Sequence, residues 1–288
     1  MYKQLLIPAT GAQSDAPVFQ TALGVARTFG AHMEFLHTKI DITEMVVAMT
    51  AGGIGGGGAV QGVVDRLEEE SKGLEQKAWQ AFTQFCTEAG IATGGAAPGS
   101  GLSADMAVET GNEAQWLAEY GRFADLVVVG RMRDGQEVAL DVLEAALMDT
   151  GKPLLIAPAQ VPADLLKTVV IAWKDTPEAA RAVAGAMPLI DHAARVLILT
   201  VAEAGEEGEA STARLRRSLR WHNPATEVRR LEGGGRPPVE VLLAAAAEQE
   251  ATLLIMGGYS HSRLREVVFG GFTQRILKGA DLAVLMAH

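Results

Sequence analysis

The chain has 288 residues, a formal net charge of -10, 48% apolar residues, few aromatics and a single cysteine. So acidic a chain lacks the basic face that non-specific nucleic-acid binding or attraction to an anionic membrane surface requires. No apolar run reaches the roughly 18 residues of a membrane span, the start Met1-Tyr2-Lys3-Gln4-Leu5 does not read as a signal peptide, and a lone Cys86 excludes an intramolecular disulfide, so a cytoplasmic protein is expected.

Lys3-Gln4-Leu5-Leu6-Ile7-Pro8 reads as a short aliphatic strand, residues 17–29 as an Ala-rich helix, and His32-Met33-Glu34-Phe35-Leu36-His37 as a second strand. Residues 52–62 are rich in glycine but lack the Gly-Lys-Ser/Thr ending of a phosphate loop and follow no clear strand. A flexible insertion is expected there, with residues 65–75 starting a solvated helix. Cys86 falls on a helix without a neighbouring base, so it reads as a small core residue rather than a nucleophile. Ala124-Asp125-Leu126-Val127-Val128-Val129-Gly130 and Lys152-Pro153-Leu154-Leu155-Ile156-Ala157-Pro158 are further strands, and residues 159–166, with Pro162, form a linker.

Beyond the linker, Lys167-Thr168-Val169-Val170-Ile171-Ala172 resembles the opening strand, and a helix over residues 177–189 and a strand over 195–201 follow. Arg214-Leu215-Arg216-Arg217 and Arg229-Arg230 sit among glutamates and read as solvated helix and strand edges. Ala251-Thr252-Leu253-Leu254-Ile255-Met256-Gly257 matches residues 124–130. A polar stretch runs from Tyr259 to Arg265, Gly270-Gly271-Phe272-Thr273 opens a short helix, and Leu282-Ala283-Val284-Leu285-Met286 closes the chain as a strand. Strand, glycine pair, polar loop and glycine pair at a helix start can hold an anion, because free backbone N–H groups and the helix dipole converge on one point.

The repeat has an offset of 164 residues at the first strand and 127 at the fourth, so the first half carries a 37-residue insertion. Each half reads β-α-β-(α)-β-α-β-α-β, with domains at 1–158 and 167–288 and the glycine-rich insertion near residues 50–62. Such alternation implies parallel strands joined by right-handed crossovers, hence two tandem doubly wound α/β domains. A ligand is expected beyond the carboxyl ends of the strands, at the loops after Ile171 and Met256 in the second half.

This layout, with its terminal glycine loop, resembles a tandem universal stress protein, which has a Rossmann-like, adenine nucleotide alpha hydrolase-like fold. The family pattern after the fourth strand is G-x-x-G, nine residues, then G followed by Ser or Thr, and in nucleotide-binding members this loop wraps the ribose and phosphates of ATP. Gly257 fills the first position, Ser260 replaces the second glycine, Gly270 keeps the third, and Gly271 replaces the hydroxyl residue, with Thr273 two positions on. The family's first strand usually ends in an acidic residue followed by Gly-Ser. Here Trp173 is followed by Lys174, Asp175 and Thr176, so Lys174 holds the acidic position. In the first half, Arg131-Met132-Arg133-Asp134-Gly135 leads on without a glycine pair, and Ala9-Thr10-Gly11-Ala12 lacks the carboxylate. That half is expected to hold no nucleotide and to act as the structural partner of the second, since family domains pair through their edge strands. A homodimer is a further expectation.

The resemblance implies a stress-response protein taking ATP or another adenine nucleotide, with magnesium, in its second half. The phosphates would lie on Gly257, Ser260, Gly270, Gly271 and Thr273, with Arg263 balancing charge, His261 in the same loop, and Lys174 and Asp175 beside them. The base would lie near Trp173 and Val201. No nucleophile, base and orienter can be assembled, so no enzyme is expected. His32, His37, His192, His222 and His288 show no metal-ligand spacing. Trp116, Trp173 and Trp221 read as packing or interface residues. The competing expectation is a nucleotide-free structural or interaction protein whose motif has decayed at Lys174, Ser260 and Gly271.

Overall fold

The strands, aliphatic at the centre of the sheet and more polar toward its edges, are β1 (Gln4–Pro8), β2 (His32–Lys39), β3 (Ala92–Thr93), β4 (Ser103–Thr110), β5 (Leu126–Val129), β6 (Leu154–Ile156), β7 (Val169–Ala172), β8 (Val196–Val201), β9 (Thr226–Leu231), β10 (Leu253–Gly257) and β11 (Ala283–Ala287). The helices are α1 (Asp15–Phe29), α2 (Gly57–Ala89), α3 (Glu113–Gly121), α4 (Leu140–Met148), α5 (Pro177–His192), α6 (Glu207–Leu219) and α7 (Pro238–Glu248). The computed structural model describes residues 1–42, 57–95, 97, 99, 101–131, 140–201, 207–258, 275–276 and 281–288.

In β5, β6 and β11 every residue is buried rather than every second one. Such strands need cover on both faces of a sheet. They find it in one 11-stranded sheet of order β3-β4-β2-β1-β5-β6-β11-β10-β7-β8-β9. Neighbouring strands are parallel except at β6 and β11, which run antiparallel with Leu155 opposite Leu285. Outward from that pair the first half runs β6-β5-β1-β2-β4 and the second β11-β10-β7-β8-β9. The same strand order appears twice, back to back, so the expected tandem doubly wound architecture is the one observed. Among the described residues the short β3 has no counterpart in the second half.

One face of the sheet packs under α1, α2, α5 and α6, and the other under α3, α4 and α7. Local signals fix the helix ends. The Asn112 side chain accepts from the Gln115 amide at 2.9 Å to start α3, and the Thr176 hydroxyl accepts from the Ala179 amide at 3.3 Å to start α5. Pro177 occupies the first turn of α5, where a missing N–H is harmless, and Gly30 closes α1 with a left-handed φ of 59°.

The insertion differs from its expected form. Gly57, Gly58 and Gly62 belong to α2, a helix of 33 residues against 13 in its counterpart α6. The glycine run is followed by enough good helix formers to carry the helix through, and a Cβ on Gly62 would meet nothing within 4 Å. Residues 52–56 lie outside the described residues. Cys86 packs in the core of this helix, 3% exposed, and burial followed by the Asp105 charge pushes its thiol up to about 11.

The halves also meet beyond the sheet. The Tyr2 hydroxyl donates to the Gly185 carbonyl, Phe29 stands edge-on to His192 at 5.0 Å, and Arg131 donates to the Leu282 carbonyl at 2.7 Å. Arg131 directly follows the glycine that ends the first half's fourth strand, so the residue beside a potential loop reaches into the other half instead. Among the described residues no helix is long and apolar enough to cross a membrane.

Candidate functional site

In the second half the strand order reverses between β7 and β10, and beyond the carboxyl ends of such a pair is where sheets of this kind take their ligands. Met256 pairs with Ala172, so Gly257 emerges beside Trp173. Trp173, Lys174, Asp175 and Gly257 are thereby brought to one end of the sheet. Ser260, His261, Arg263, Gly270, Gly271 and Thr273 lie outside the described residues.

Gly257 is fixed by packing. A Cβ on it would stand 2.6 Å from the Ala179 amide nitrogen and 3.0 Å from Ala179 Cα, so only glycine lets the first turn of α5 sit against β10. That turn already holds an anion. Glu178 lies there, bridged to Arg181 at 2.9 Å, and its carboxyl is held low, chiefly by hydrogen bonding to its own backbone amide.

The expected base-binding pair does not form one wall. Trp173 packs with the α1/α5 face and Val201 with the α4/α7 face, because alternation sends them to opposite sides of the sheet. The Trp173 indole N–H donates to the Ser211 hydroxyl at 3.1 Å. Asp175 lies beyond the end of β7, exposed and 3.7 Å from Arg214. Ser211 and Arg214 of α6 thus belong to this end of the sheet, although residues 214–217 read from sequence as a solvated edge. Trp116 is half-buried and donates from its indole to the Thr110 carbonyl at 3.0 Å. Trp221 is 88% exposed and does not serve as packing.

The corresponding point of the first half, beyond β1, is filled from within. Asp15 accepts from the Thr10 hydroxyl at 2.7 Å and the Gly11 amide at 2.8 Å. Burial raises its carboxyl above the usual range, opposed by these bonds and by His37. His37 Nδ1 donates to the Ala9 carbonyl at 2.7 Å, and its buried Nε2 has no partner. Over this cluster lies α2, with the Leu74 carbonyl oxygen 2.5 Å from where a Gly11 Cβ would be. A carboxylate is present in this half after all, supplied by the first turn of α1 rather than by the strand end.

Among the described residues no three His, Cys, Asp or Glu side chains come together as metal ligands.

Fold and site define a duplicated doubly wound α/β protein with a topological switch point between β7 and β10 of its second half. Residues 166–288 match the model of the Universal stress protein family. Comparison with curated proteins gave no match. Over nearly its whole length the chain has the fold of a universal stress protein from Archaeoglobus fulgidus DSM 4304, with a TM-score of 0.70 and 16% identity over 99% of this chain and 95% of that one. A functionally unknown protein from Pseudomonas aeruginosa PAO1 follows at a TM-score of 0.55 and 14% identity, over 99% of this chain and 92% of that one. The cytoplasmic domain of a prokaryotic cation chloride cotransporter is similar at a TM-score of 0.50 and 12% identity, over 100% of this chain and 96% of that one.

Proposed function

We propose that the chain is a cytoplasmic stress-response protein of two universal stress protein domains, 1–158 and 167–288, and that the second binds an adenine nucleotide of the ATP kind. One observation carries this reading: the family match over 166–288 coincides with a complete five-strand unit whose switch point lies between β7 and β10. The phosphates are assigned to Gly257, Ser260, Gly270, Gly271 and Thr273, with Arg263, His261 and Lys174 around them. Magnesium accompanies the nucleotide without assigned protein ligands. The first half serves as a covalent partner through β6 and β11, and no catalytic step is assigned.

The test is isothermal titration of nucleotide-stripped protein with ATP, with and without magnesium, and with AMP as comparator. Saturation near one site per chain, lost in Gly270→Val, is expected. Ligand at about a hundred times its dissociation constant should add about 2.7 kcal/mol of stability. A second reading, a nucleotide-free interaction protein of the same fold, is favoured by the internal partners of Trp173 and Asp175. Absence of both heat and thermal shift at millimolar ATP would select it.

A further inference from the structure

The two outer edges of the sheet are finished differently. In the first half β4 is covered by β3, whereas among the described residues β9 pairs with β8 alone. The Val196 amide donates to the Ala225 carbonyl at 3.1 Å, so the odd-numbered residues of this strand turn their backbone toward β8. The N–H and C=O groups of Val228 and Arg230 therefore point to the open side, as do those of Thr226, whose carbonyl already accepts from Arg216 Nε at 3.4 Å. Residues Thr226–Leu231 contain neither the proline nor the lysine that commonly blunts such an edge. Val228 is 40% exposed at its centre.

We propose that β9 is a two-fold interface, at which a second copy of this chain adds its own β9 antiparallel with Val228 on the axis. A two-fold axis perpendicular to a sheet keeps each residue on its own face, so it must pass through a residue rather than between two. Axes through Glu227 or Arg229 would set like charges opposite each other. The axis through Val228 places valine against valine, Thr226 against Arg230, and Glu227 against Arg229 of the second copy, twice over. The Glu227–Arg229 positions lack backbone bonds between them, which is where opposed side chains come closest. Within the chain Glu227 already meets Arg195 at 2.8 Å, and Arg229 meets Glu248 at 2.9 Å. Each new contact would join two ion pairs into a network. The backbone supplies the remaining match, because Val228 and its copy exchange both of their outward hydrogen bonds.

Sedimentation velocity of the full chain should show a dimer that dissociates on dilution. Val228→Pro removes an outward N–H without touching the β8 ladder, and should give a monomer with unchanged far-UV circular dichroism. Val228→Cys should form an intermolecular disulfide under mild oxidation, because opposed bonded residues stand about 5.5 Å apart at Cα. Glu227→Cys should not, since its opposite residue is Arg229. Cys86, 3% exposed, does not compete. A wild type that stays monomeric, a dimer indifferent to Val228→Pro, or equal cross-linking at both cysteine positions would each overturn the proposal.

Discussion

Gly257 stands so close to Ala179 that a Cβ on it would lie 2.6 Å from the Ala179 amide nitrogen and 2.8 Å from the Glu178 carbonyl carbon. The neighbour is helix backbone, which cannot swing aside as a side-chain tip would. Gly257→Ala should therefore cost about 1–3 kcal/mol, as overpacking does, read from the urea midpoint at constant m. An unchanged midpoint would show that α5 yields freely. Because the fold itself requires this glycine, a loss of nucleotide binding in Gly257→Ala would not locate a ligand.

Leu155 and Leu285 face one another across the antiparallel strands that join the halves, and neither is exposed. They belong to one apolar cluster that also includes Leu5, Phe35, Val169 and Leu253, so the core runs through both halves without a break. Leu285→Ala should cost about 2–5 kcal/mol. Calorimetry should show one transition moving to lower temperature as a unit. Two separated transitions in wild type or variant would mean that the halves fold independently.

The aliphatic strands, the doubled order and the switch-point loops were legible because each depends on local pattern. Buried parallel strands must be apolar throughout, and Leu5–Ile7 and Val169–Ala172 both show it. What the sequence hid depends on contacts between distant segments. Gly257 read as a ligand residue, yet its need for glycine comes from α5, almost eighty residues earlier. Asp15 escaped notice because its partners, Thr10 and Gly11, lie across a turn rather than at the strand end where a carboxylate was sought. The extent of α2 was masked by glycines that a long helix tolerates at modest cost. Trp173 and Val201 were grouped by their closeness to strand ends, whereas side-chain alternation decides which face each one reaches.

Gly11 and Gly94 have nearly the same left-handed backbone, φ 78° and 73°, in different surroundings. A Cβ on Gly94 would meet nothing within 4 Å, while one on Gly11 would stand 2.5 Å from the Leu74 carbonyl oxygen. Gly94→Ala should then lose about 1–2 kcal/mol for the backbone conformation alone. Gly11→Ala should lose about 1–3 kcal/mol more for the clash with α2. Equal losses in urea unfolding would mean that α2 does not press on the loop after β1.

Glu113 opens α3, where burial, then the charges of Asp141 and Asp15, hold its carboxyl above the ordinary value of 4.5. Between that value and its raised folded one, the native state keeps a proton that the unfolded chain has released. This group's contribution to stability is therefore complete below 4.5 and is lost as pH rises through the folded value. Glu113→Gln never ionises and escapes that loss. Relative to wild type it should be more stable at about pH 7 than at about pH 4, when urea midpoints are compared at both. A difference that stays constant, or grows toward acid, would show that Glu113 ionises at least as freely in the folded protein as in the unfolded chain. Burial would then not keep water from its carboxyl, and the charges of Asp141 and Asp15 would be too distant or too well screened to raise it.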